Sequence, residues 1–231
     1  MRASGLVTLA GFLPPWDIER RRGDVGPLIG WVLAELRQLG VEVERLERLH
    51  DAVGAAEAPA LAQHLTQASM RAAPRRSLHA LVREAIPELP WERVAIQATA
   101  HFRILGPGDR VSPVPLHTDF AIGHPLDEHN LWIALTAARG NAALHLAPFA
   151  VSVESDRERR FAGRLLIDPA TPTEAIPVER GELLLFTPLH VHGARVVDQD
   201  VTRVSLDVRI APHDAARARN PVAHVRLQES S

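Results

Sequence analysis

Three residue types are missing from this chain of 231 residues. It contains no cysteine and no tyrosine, and because lysine is also absent, all 26 basic side chains are arginine. These absences exclude disulfides, thiolate metal sites, thiol nucleophiles, Schiff-base lysines and phenolic acids. Catalysis would have to use histidine, carboxylate, hydroxyl or guanidinium groups, and this restriction favours chemistry at a bound metal ion.

The chain also lacks a strong excess of charge and a long hydrophobic run. Its formal net charge of −2 gives no field for holding nucleic acid or an anionic membrane. No segment approaches the ~20 apolar residues that a bilayer crossing needs, and the uncharged stretch 5–16 lacks a signal-peptide cleavage site. We therefore expect a cytoplasmic protein that acts on a small molecule, without nucleic acid or membrane. The sequence leaves open whether it is a monomer or a homo-oligomer.

The first part of the chain has the periodicity of helices. In residues 25–39 the apolar side chains recur at i, i+3, i+4 and i+7, the spacing of one buried helical stripe. Asp24 is the expected N-cap of this helix and Gly40 its expected end. Further helices are expected over residues 56–70 and 78–86.

After these helices, apolar and polar residues alternate with the period of two that β-strands have. The predicted strands are 96–104, 130–136 and 203–210, with shorter runs at 111–116, 143–146, 150–153, 165–167 and 183–186. Many short strands separated by Gly and Pro turns indicate a jelly roll. The predicted fold is therefore mainly β with N-terminal helices, a double-stranded β-helix of the cupin-like type. We expect residues 1–92 to be a helical segment that packs on the barrel and residues 93–231 to be the barrel itself, both within one structural domain.

The polar faces of the three longest predicted strands are unusual for a solvated surface. They carry histidine, arginine, asparagine and tryptophan, among them Arg103, Asn130 and Trp132. A solvated face is the usual alternative for an antiparallel sheet. We instead expect the helices to cover the apolar outer face of one sheet, so that the polar faces line the barrel interior.

His117 and Asp119 are separated by one residue, and so are His190 and His192 further along. On a strand, residues i and i+2 share a face, so His117 and Asp119 can reach one point in space. A later histidine would complete the two-His, one-carboxylate set that holds Fe(II) with open coordination positions. We favour His192 over His190, because the interval from His192 to Arg203 suits a short hairpin. The alternative is that these are surface polar residues near a loop.

Arg203 and Ser205 share one face of the last predicted strand. A guanidinium binds a carboxylate bidentately, and a hydroxyl beside it suits the distal carboxylate of a dicarboxylate. Arg209 on the same face is the competing anchor. In the loop that follows the first two ligands, His124 and Glu128 are expected to contact the substrate, because loops on a rigid scaffold carry specificity.

With these residues the chain resembles the Fe(II)/2-oxoglutarate-dependent oxygenases. It is most similar to a bacterial natural-product branch that includes homologues of the streptomycin-biosynthesis-type hydroxylases. That branch has the motif H-x-D-x-x-Y-G-H, then E-x-N-x-W and L-T, and later H-G and T-R-V-S-x-D-x-R. The matching residues here are His117, Asp119, Gly123, His124, Glu128, Asn130, Trp132, Leu135, Thr136, His192, Gly193, Thr202, Arg203, Val204, Ser205, Asp207 and Arg209. The tyrosine of the motif is Ile122 in this chain, so the substrate of the branch is not carried over.

The resemblance implies a double-stranded β-helix with iron on His117, Asp119 and His192. It also implies 2-oxoglutarate on Arg203 with Ser205, and we assign Asn130 to the same co-substrate. The side chains that we assign to the substrate are Arg103, His124, Glu128, Trp132, His190 and Arg209. The implied reaction decarboxylates 2-oxoglutarate to succinate and uses O₂ to oxidise, most simply to hydroxylate, a C–H bond of a small molecule in natural-product biosynthesis.

Two other functions remain open at this point. The protein could bind metal and 2-oxoglutarate without oxidising a substrate, or it could be a cupin-type sugar isomerase or epimerase with histidine bases. Arg203 and Ser205 argue against an epimerase, which has no use for them, whereas only an assay separates a binding protein from an enzyme. Asp119 argues against a halogenase, in which the carboxylate position is vacated for the halide.

Overall fold

The computed structural model of the protein describes residues 17–108, 114–163, 167–195, 200–212 and 224–226. The helices are α1 Gly26–Gln38, α2 Ala58–Ala68, α3 Ala72–Ala85 and α4 Phe149–Phe161, with short 3₁₀ helices at Leu46–Asp51, Trp91–Arg93, Asp119–Ile122 and Gly140–Ala142. The strands are β1 Glu19–Arg22, β2 Val94–Gln97, β3 His101–Leu105, β4 His129–Ala134, β5 Leu144–Leu146, β6 Glu174–Ile176, β7 Glu182–Phe186, β8 His192–Gly193, β9 Arg203–Pro212 and β10 His224–Arg226.

These strands form two antiparallel sheets. The larger sheet has the order β1-β7-β4-β9-β2-β10, and β3 also pairs with β9; the smaller sheet has the order β6-β5-β8. The long strand β9 pairs with β3 near its start and with β2 near its end. An isolated antiparallel bridge between His117 and His192 continues the smaller sheet at β8. The predicted mainly β jelly roll with N-terminal helices is confirmed.

The helices α1 to α3 cover the outer face of the larger sheet. The sheet residues that join this core are Val94, Ile96, Phe102, Ile104, Leu131, Ile133, Leu183, Leu185, Val204, Leu206, Val208 and Ile210. Because side chains alternate along a strand, the residues between them face the smaller sheet. The expectation that helices cover the apolar face and polar side chains line the interior is confirmed.

The ends of α1 lie close to the predicted ones. The N-cap is Val25, whose side chain makes no capping hydrogen bond, so the prediction of Asp24 as N-cap is wrong by one residue. Asp24 Oδ1 accepts the backbone N–H of Gly26, the first helical residue, at 2.8 Å. Gly40 follows the helix with φ of 79°, a left-handed conformation that glycine adopts without strain. Helix α3 begins at Ala72, earlier than predicted, because Pro74 is tolerated in a first helical turn.

Two predicted strands differ in the structure. The predicted strand 96–104 is interrupted between β2 and β3, where Ser69 Oγ accepts the Ala100 N–H at 3.1 Å in place of a strand partner. The predicted strand 150–153 is wrong, because these residues lie in α4, which begins directly after Pro148. Its apolar alternation is too short to outweigh the helix-favouring charged residues that follow it. Residues 111–113 and 165–166 of two other predicted strands lie outside the described residues, and the described remainders, 114–116 and residue 167, are not in a strand.

Strand β1 was not predicted. It lies inside the segment 1–92 and pairs with β7, so this segment contributes to the larger sheet as well as to the helical layer. The division of the chain at residue 92 stays a prediction. None of the helices in the described ranges has the length and apolar composition of a bilayer crossing.

Candidate functional site

His117, Asp119 and His192 meet between the two sheets. Their ligand atoms lie within 4.8 Å of one another, and we call them the triad. Nε2 of His117 is 3.5 Å from Asp119 Oδ1, and Nε2 of His192 is 3.9 Å from Asp119 Oδ2. The third position is taken by His192, as favoured from the sequence, and not by His190.

Both triad histidines place Nδ1 against a backbone carbonyl oxygen. Nδ1 of His117 lies 2.9 Å from the Pro115 carbonyl oxygen, and Nδ1 of His192 lies 2.9 Å from the His190 carbonyl oxygen. A carbonyl oxygen can only accept, so each Nδ1 carries the proton and donates. In the neutral form of each ring Nε2 therefore keeps its lone pair, which is the state that a metal ligand requires.

The chain around the first two triad members is not a continuous strand. His117 exchanges backbone hydrogen bonds of 3.0 and 2.9 Å with His192, whereas Asp119 begins a short 3₁₀ helix. Thr118 caps that helix, since its Oγ1 accepts the Ala121 N–H at 3.2 Å. The assumption that both residues lie on one strand is therefore wrong, although their side chains converge as expected.

The electrostatics of the triad suit a cation. Burial opposes ionisation of Asp119, but the hydrogen bond with His117 and the charges of His192 and Arg209 hold its pKa well below the usual range. Burial and the charge of His117 lower the pKa of His192 to about 4. Burial also opposes protonation of His117, yet its hydrogen bond with Asp119 raises its pKa. At neutral pH the triad therefore holds an anionic carboxylate and a neutral His192.

The triad lies in the wall of a solvent-open pocket, in which the space not filled by atoms is about 470 Å³ including the adjoining solvent. The other polar side chains that line it are Arg103, Asn130, Trp132, Arg203, Asp207 and Arg209. Apolar walls come from Val114, Leu144, Phe186 and Ala194. Most of these polar side chains lie on β4 and β9, on the polar face that the alternating sequence pattern predicts.

Arg203 is a buried cation in this pocket, with 2% of its surface exposed. Its Nη1 donates to the Ala142 carbonyl oxygen at 3.1 Å, and its guanidinium lies 5.5 Å from the centre of the Trp132 ring. Burial lowers the pKa of Arg203 to about 10, so the side chain still carries its charge at neutral pH.

Several buried polar atoms of Arg203 and of residues on β4 and β9 have no partner within the described part of the chain. They are Nε of Arg203, Oγ of Ser205 and both side-chain amide atoms of Asn130. A buried donor or acceptor left without a partner costs about 1–3 kcal/mol, so such groups normally bind something. The unpaired donors and the buried positive charge fit an anionic ligand with several oxygen atoms, such as 2-oxoglutarate.

Arg209 contacts the triad, although the sequence placed it with the substrate. Its Nη2 lies 3.0 Å from Asp119 Oδ2, and its Nη1 donates to Gln97 Oε1 at 3.3 Å. Gln97 was not among the predicted site residues, although it lies on the polar face of the segment that contains Arg103. Arg103 itself donates from Nε to Asp207 Oδ2 at 3.0 Å and reaches the pocket.

His124, Glu128 and His190 lie outside the pocket lining. Nδ1 of His124 is 2.8 Å from Glu128 Oε2, and this buried pair closes the loop after the triad. His190 is fully buried, with its ring centre 5.5 Å from that of Phe149 and 6.2 Å from that of Phe186. Their assignment to the substrate stays a prediction.

Two facing antiparallel sheets with a His-Asp-His cluster and a buried arginine between them define a jelly-roll site suited to a metal and an anionic co-substrate. The chain belongs to the phytanoyl-CoA dioxygenase (PhyH) family, whose model matches residues 1–203. It is therefore a non-haem iron oxygenase of the Fe/2-oxoglutarate-dependent superfamily.

Solved structures agree with this fold. The non-heme monooxygenase ThoJ in complex with nickel has a TM-score of 0.54 and 16% identity, covering 87% of this chain and 74% of that one. ThoJ without metal has a TM-score of 0.53 with the same identity and coverage. At these identities the likeness concerns the fold alone, and no curated protein sequence matches the chain.

Proposed function

We propose that this protein is an Fe(II)- and 2-oxoglutarate-dependent dioxygenase that hydroxylates a C–H bond of a small molecule. The observation that carries the proposal is the presence of the triad and the buried Arg203 in the wall of one pocket. When bound, Fe(II) and 2-oxoglutarate supply the oxidising power, because decarboxylation to succinate and CO₂ accompanies the reduction of O₂ and the transfer of one oxygen atom to the substrate.

The triad would hold the iron through Nε2 of His117, Nε2 of His192 and the Asp119 carboxylate. This ligand set leaves coordination positions open for co-substrate and O₂. Arg209 keeps Asp119 ionised and oriented from the side of Oδ2. Hydrogen bonds of this kind to a ligand carboxylate raise metal affinity because they fix its orientation before binding.

Arg203 would hold the distal carboxylate of 2-oxoglutarate with Ser205 beside it, and Asn130, opposite Arg209 on the neighbouring strand, would be a further partner of the co-substrate. Their unpaired buried atoms support this assignment. The Trp132 ring against the Arg203 guanidinium keeps the cation in a fixed orientation and excludes water from it. In such a water-poor site the attraction between guanidinium and carboxylate is stronger than at the surface.

The remaining part of the pocket supports a small and partly apolar substrate. Leu144 and Phe186 form apolar walls, whereas Arg103 and Asp207 offer a charged pair to polar groups of the substrate. The motif resemblance to the natural-product branch supports a role in specialised metabolism and a kinship with the streptomycin-type hydroxylases.

Replacing the triad residues tests the proposal. We expect His117→Ala, Asp119→Ala and His192→Ala each to lose bound iron and iron-dependent succinate formation, while circular dichroism shows the native fold. The fold should persist because the triad belongs neither to the core between the helices and the larger sheet nor to the core between the two sheets. The measurements are iron stoichiometry after anaerobic loading and succinate release with 2-oxoglutarate and O₂.

His190→Ala is the matched control, because His190 lies two residues from His192 and outside the triad. It should keep stoichiometric iron. Normal iron binding by any triad variant, or loss of iron from His190→Ala alone, would contradict the metal assignment. Binding of iron and 2-oxoglutarate without succinate release, for a broad set of candidate substrates, would indicate a binding protein instead.

A further inference from the structure

Helix α4 is buried through polar side chains. Within the described residues its fully buried members are Ser152 and Asp156, which have no exposed surface. They are four residues apart and so lie on the same face of the helix. Burying a hydroxyl and a carboxylate costs free energy unless both form hydrogen bonds or ion pairs. The partners of Ser152 and Asp156 therefore indicate what this face of the helix does.

Asp156 bonds to the residue between two triad members. Its Oδ1 accepts a hydrogen bond of 3.4 Å from Oγ1 of Thr118, which is fully buried between His117 and Asp119. The same hydroxyl accepts the N–H of Ala121 and caps the 3₁₀ helix that begins at Asp119. The Asp156 carboxylate therefore orients the hydroxyl that shapes the ligand-bearing turn.

Two arginines of α4 neutralise this carboxylate. Arg159 Nη2 lies 2.8 Å from Asp156 Oδ1, and Arg160 Nη2 lies 2.8 Å from Oδ2. The Arg160 guanidinium also lies 5.6 Å from the centre of the Phe120 ring, directly after Asp119 in the chain. The helix therefore contacts the same turn a second time.

Ser152 makes the corresponding contact with the other ligand-bearing segment. Its Oγ accepts the N–H of Val191 at 2.9 Å and lies 3.3 Å from the Ala147 carbonyl oxygen, to which it donates. Val191 directly precedes His192, and its carbonyl oxygen accepts the Ala147 N–H at 2.9 Å. One face of α4 is thus hydrogen-bonded to Thr118, between His117 and Asp119, and to Val191, next to His192.

We propose that Ser152 and Asp156 are positioning residues that set the distance between the two chain segments carrying the triad. This inference rests on the proposed metal-binding role of the triad. Neither residue touches the metal position, and each acts through a neighbour: Val191 for Ser152 and Thr118 for Asp156. Groups that orient metal ligands from outside typically change metal affinity by roughly 10- to 100-fold.

The test is an anaerobic metal titration of conservative variants, with Co(II) as a spectroscopic probe alongside Fe(II). Thr118→Val and Ser152→Ala should bind both metals about tenfold more weakly and change the Co(II) d–d bands. Thr118→Ser, which keeps the hydroxyl, should restore wild-type affinity and spectrum. Asp156→Asn should resemble Thr118→Val, whereas Glu154→Gln, on the exposed face of α4 and paired with Arg157, should resemble the wild type.

All titrations are made at a temperature at which circular dichroism shows each metal-free variant to be folded. Wild-type affinity and spectra in both Thr118→Val and Ser152→Ala would overturn the inference, and so would an equal loss in Glu154→Gln. If the wild-type protein binds no metal, or if His117→Ala binds metal as the wild type does, the proposed function itself is wrong. That outcome is distinct from one in which only the positioning role is wrong.

Discussion

The electrostatic balance of the pocket depends on which charged residues are already paired. Arg209 is paired with Asp119, and Arg103 is paired with Asp207. Arg203 forms no ion pair in the described part of the chain, although it is almost completely buried. Burying an unpaired charge is costly, so the folded protein keeps a site of unsatisfied positive charge that a dicarboxylate can fill.

Arg203→Ala should therefore weaken 2-oxoglutarate binding by roughly two to three orders of magnitude, since losing one partner of a buried charge pair costs several kcal/mol. Arg203→Lys should recover part of the loss, because an ammonium cannot bind a carboxylate with two parallel hydrogen bonds. The measurement is an anaerobic titration of the Fe(II)-loaded protein that follows the metal-to-2-oxoglutarate charge-transfer band.

Arg209→Ala is the control for this experiment, and we expect it to weaken metal binding more than co-substrate binding. Normal 2-oxoglutarate affinity in Arg203→Ala combined with a large loss in Arg209→Ala would show that the anchor is misassigned. If neither change matters, the protein does not use 2-oxoglutarate at this site.

At the residue scale, the spacing of His117, Asp119, His192 and Arg203 predicted correctly that the structure brings these residues to one pocket. The short interval between His117 and Asp119 restricts their side chains to one region, whatever the local backbone does. The contact between Arg209 and Asp119 could not be predicted, because it depends on the register of β9 against its neighbours and on the turn at Asp119. The same limit applies to Thr118, whose role depends on the position of α4.

At the scale of elements, long amphipathic patterns predicted well, whereas the short apolar runs predicted unevenly. The helices α1 to α3 and the strands β4 and β9 have enough residues for their period to be unambiguous. Of the short runs, 143–146 and 183–186 coincide with β5 and β7, but 150–153 fits a strand or a helix equally and lies in α4 together with the helix-favouring charged residues that follow it. Strand β1 consists mainly of charged residues and is formed through its pairing with β7.

The helical layer is separated from the pocket by the larger sheet, so the two can be perturbed independently. Leu36 on α1 has no exposed surface, whereas Leu39, directly after the helix, is 45% exposed. Leu36→Ala should lower the free energy of unfolding by about 2–5 kcal/mol through lost burial and a cavity. Leu39→Ala is the control and should stay within about 0.5 kcal/mol of the wild type.

Urea unfolding followed by circular dichroism gives both values, and an Fe(II) titration in water should give wild-type affinity for each variant. A change of metal affinity in Leu36→Ala comparable to that of the triad variants would contradict the separation of the two layers. Equal destabilisation by the two substitutions would contradict the assignment of Leu36 to the core.

At the scale of the whole molecule, the site joins parts of the chain that are far apart in sequence. His117 and Asp119 come from the segment before β4, His192 from β8 in the smaller sheet, and Arg203 from β9 in the larger sheet. A metal and a co-substrate bound here would contact residues of both sheets. The unfolded chain does not hold these residues together. Ligand binding is therefore linked to the folding of the entire barrel.

Loading with Fe(II) and 2-oxoglutarate under anaerobic conditions should raise the thermal unfolding midpoint, and a chelator should reverse the increase. At a ligand concentration of 100 times Kd, the stabilisation is about 2.7 kcal/mol. For a domain of this size that corresponds to a rise of roughly 5–10 °C. Arg203→Ala should keep the increase caused by the metal and lose the part caused by 2-oxoglutarate, whereas Asp119→Ala should lose both. If the loaded and chelated wild-type proteins unfold at the same temperature although titration shows binding, the ligands do not connect the two sheets in the way this site requires.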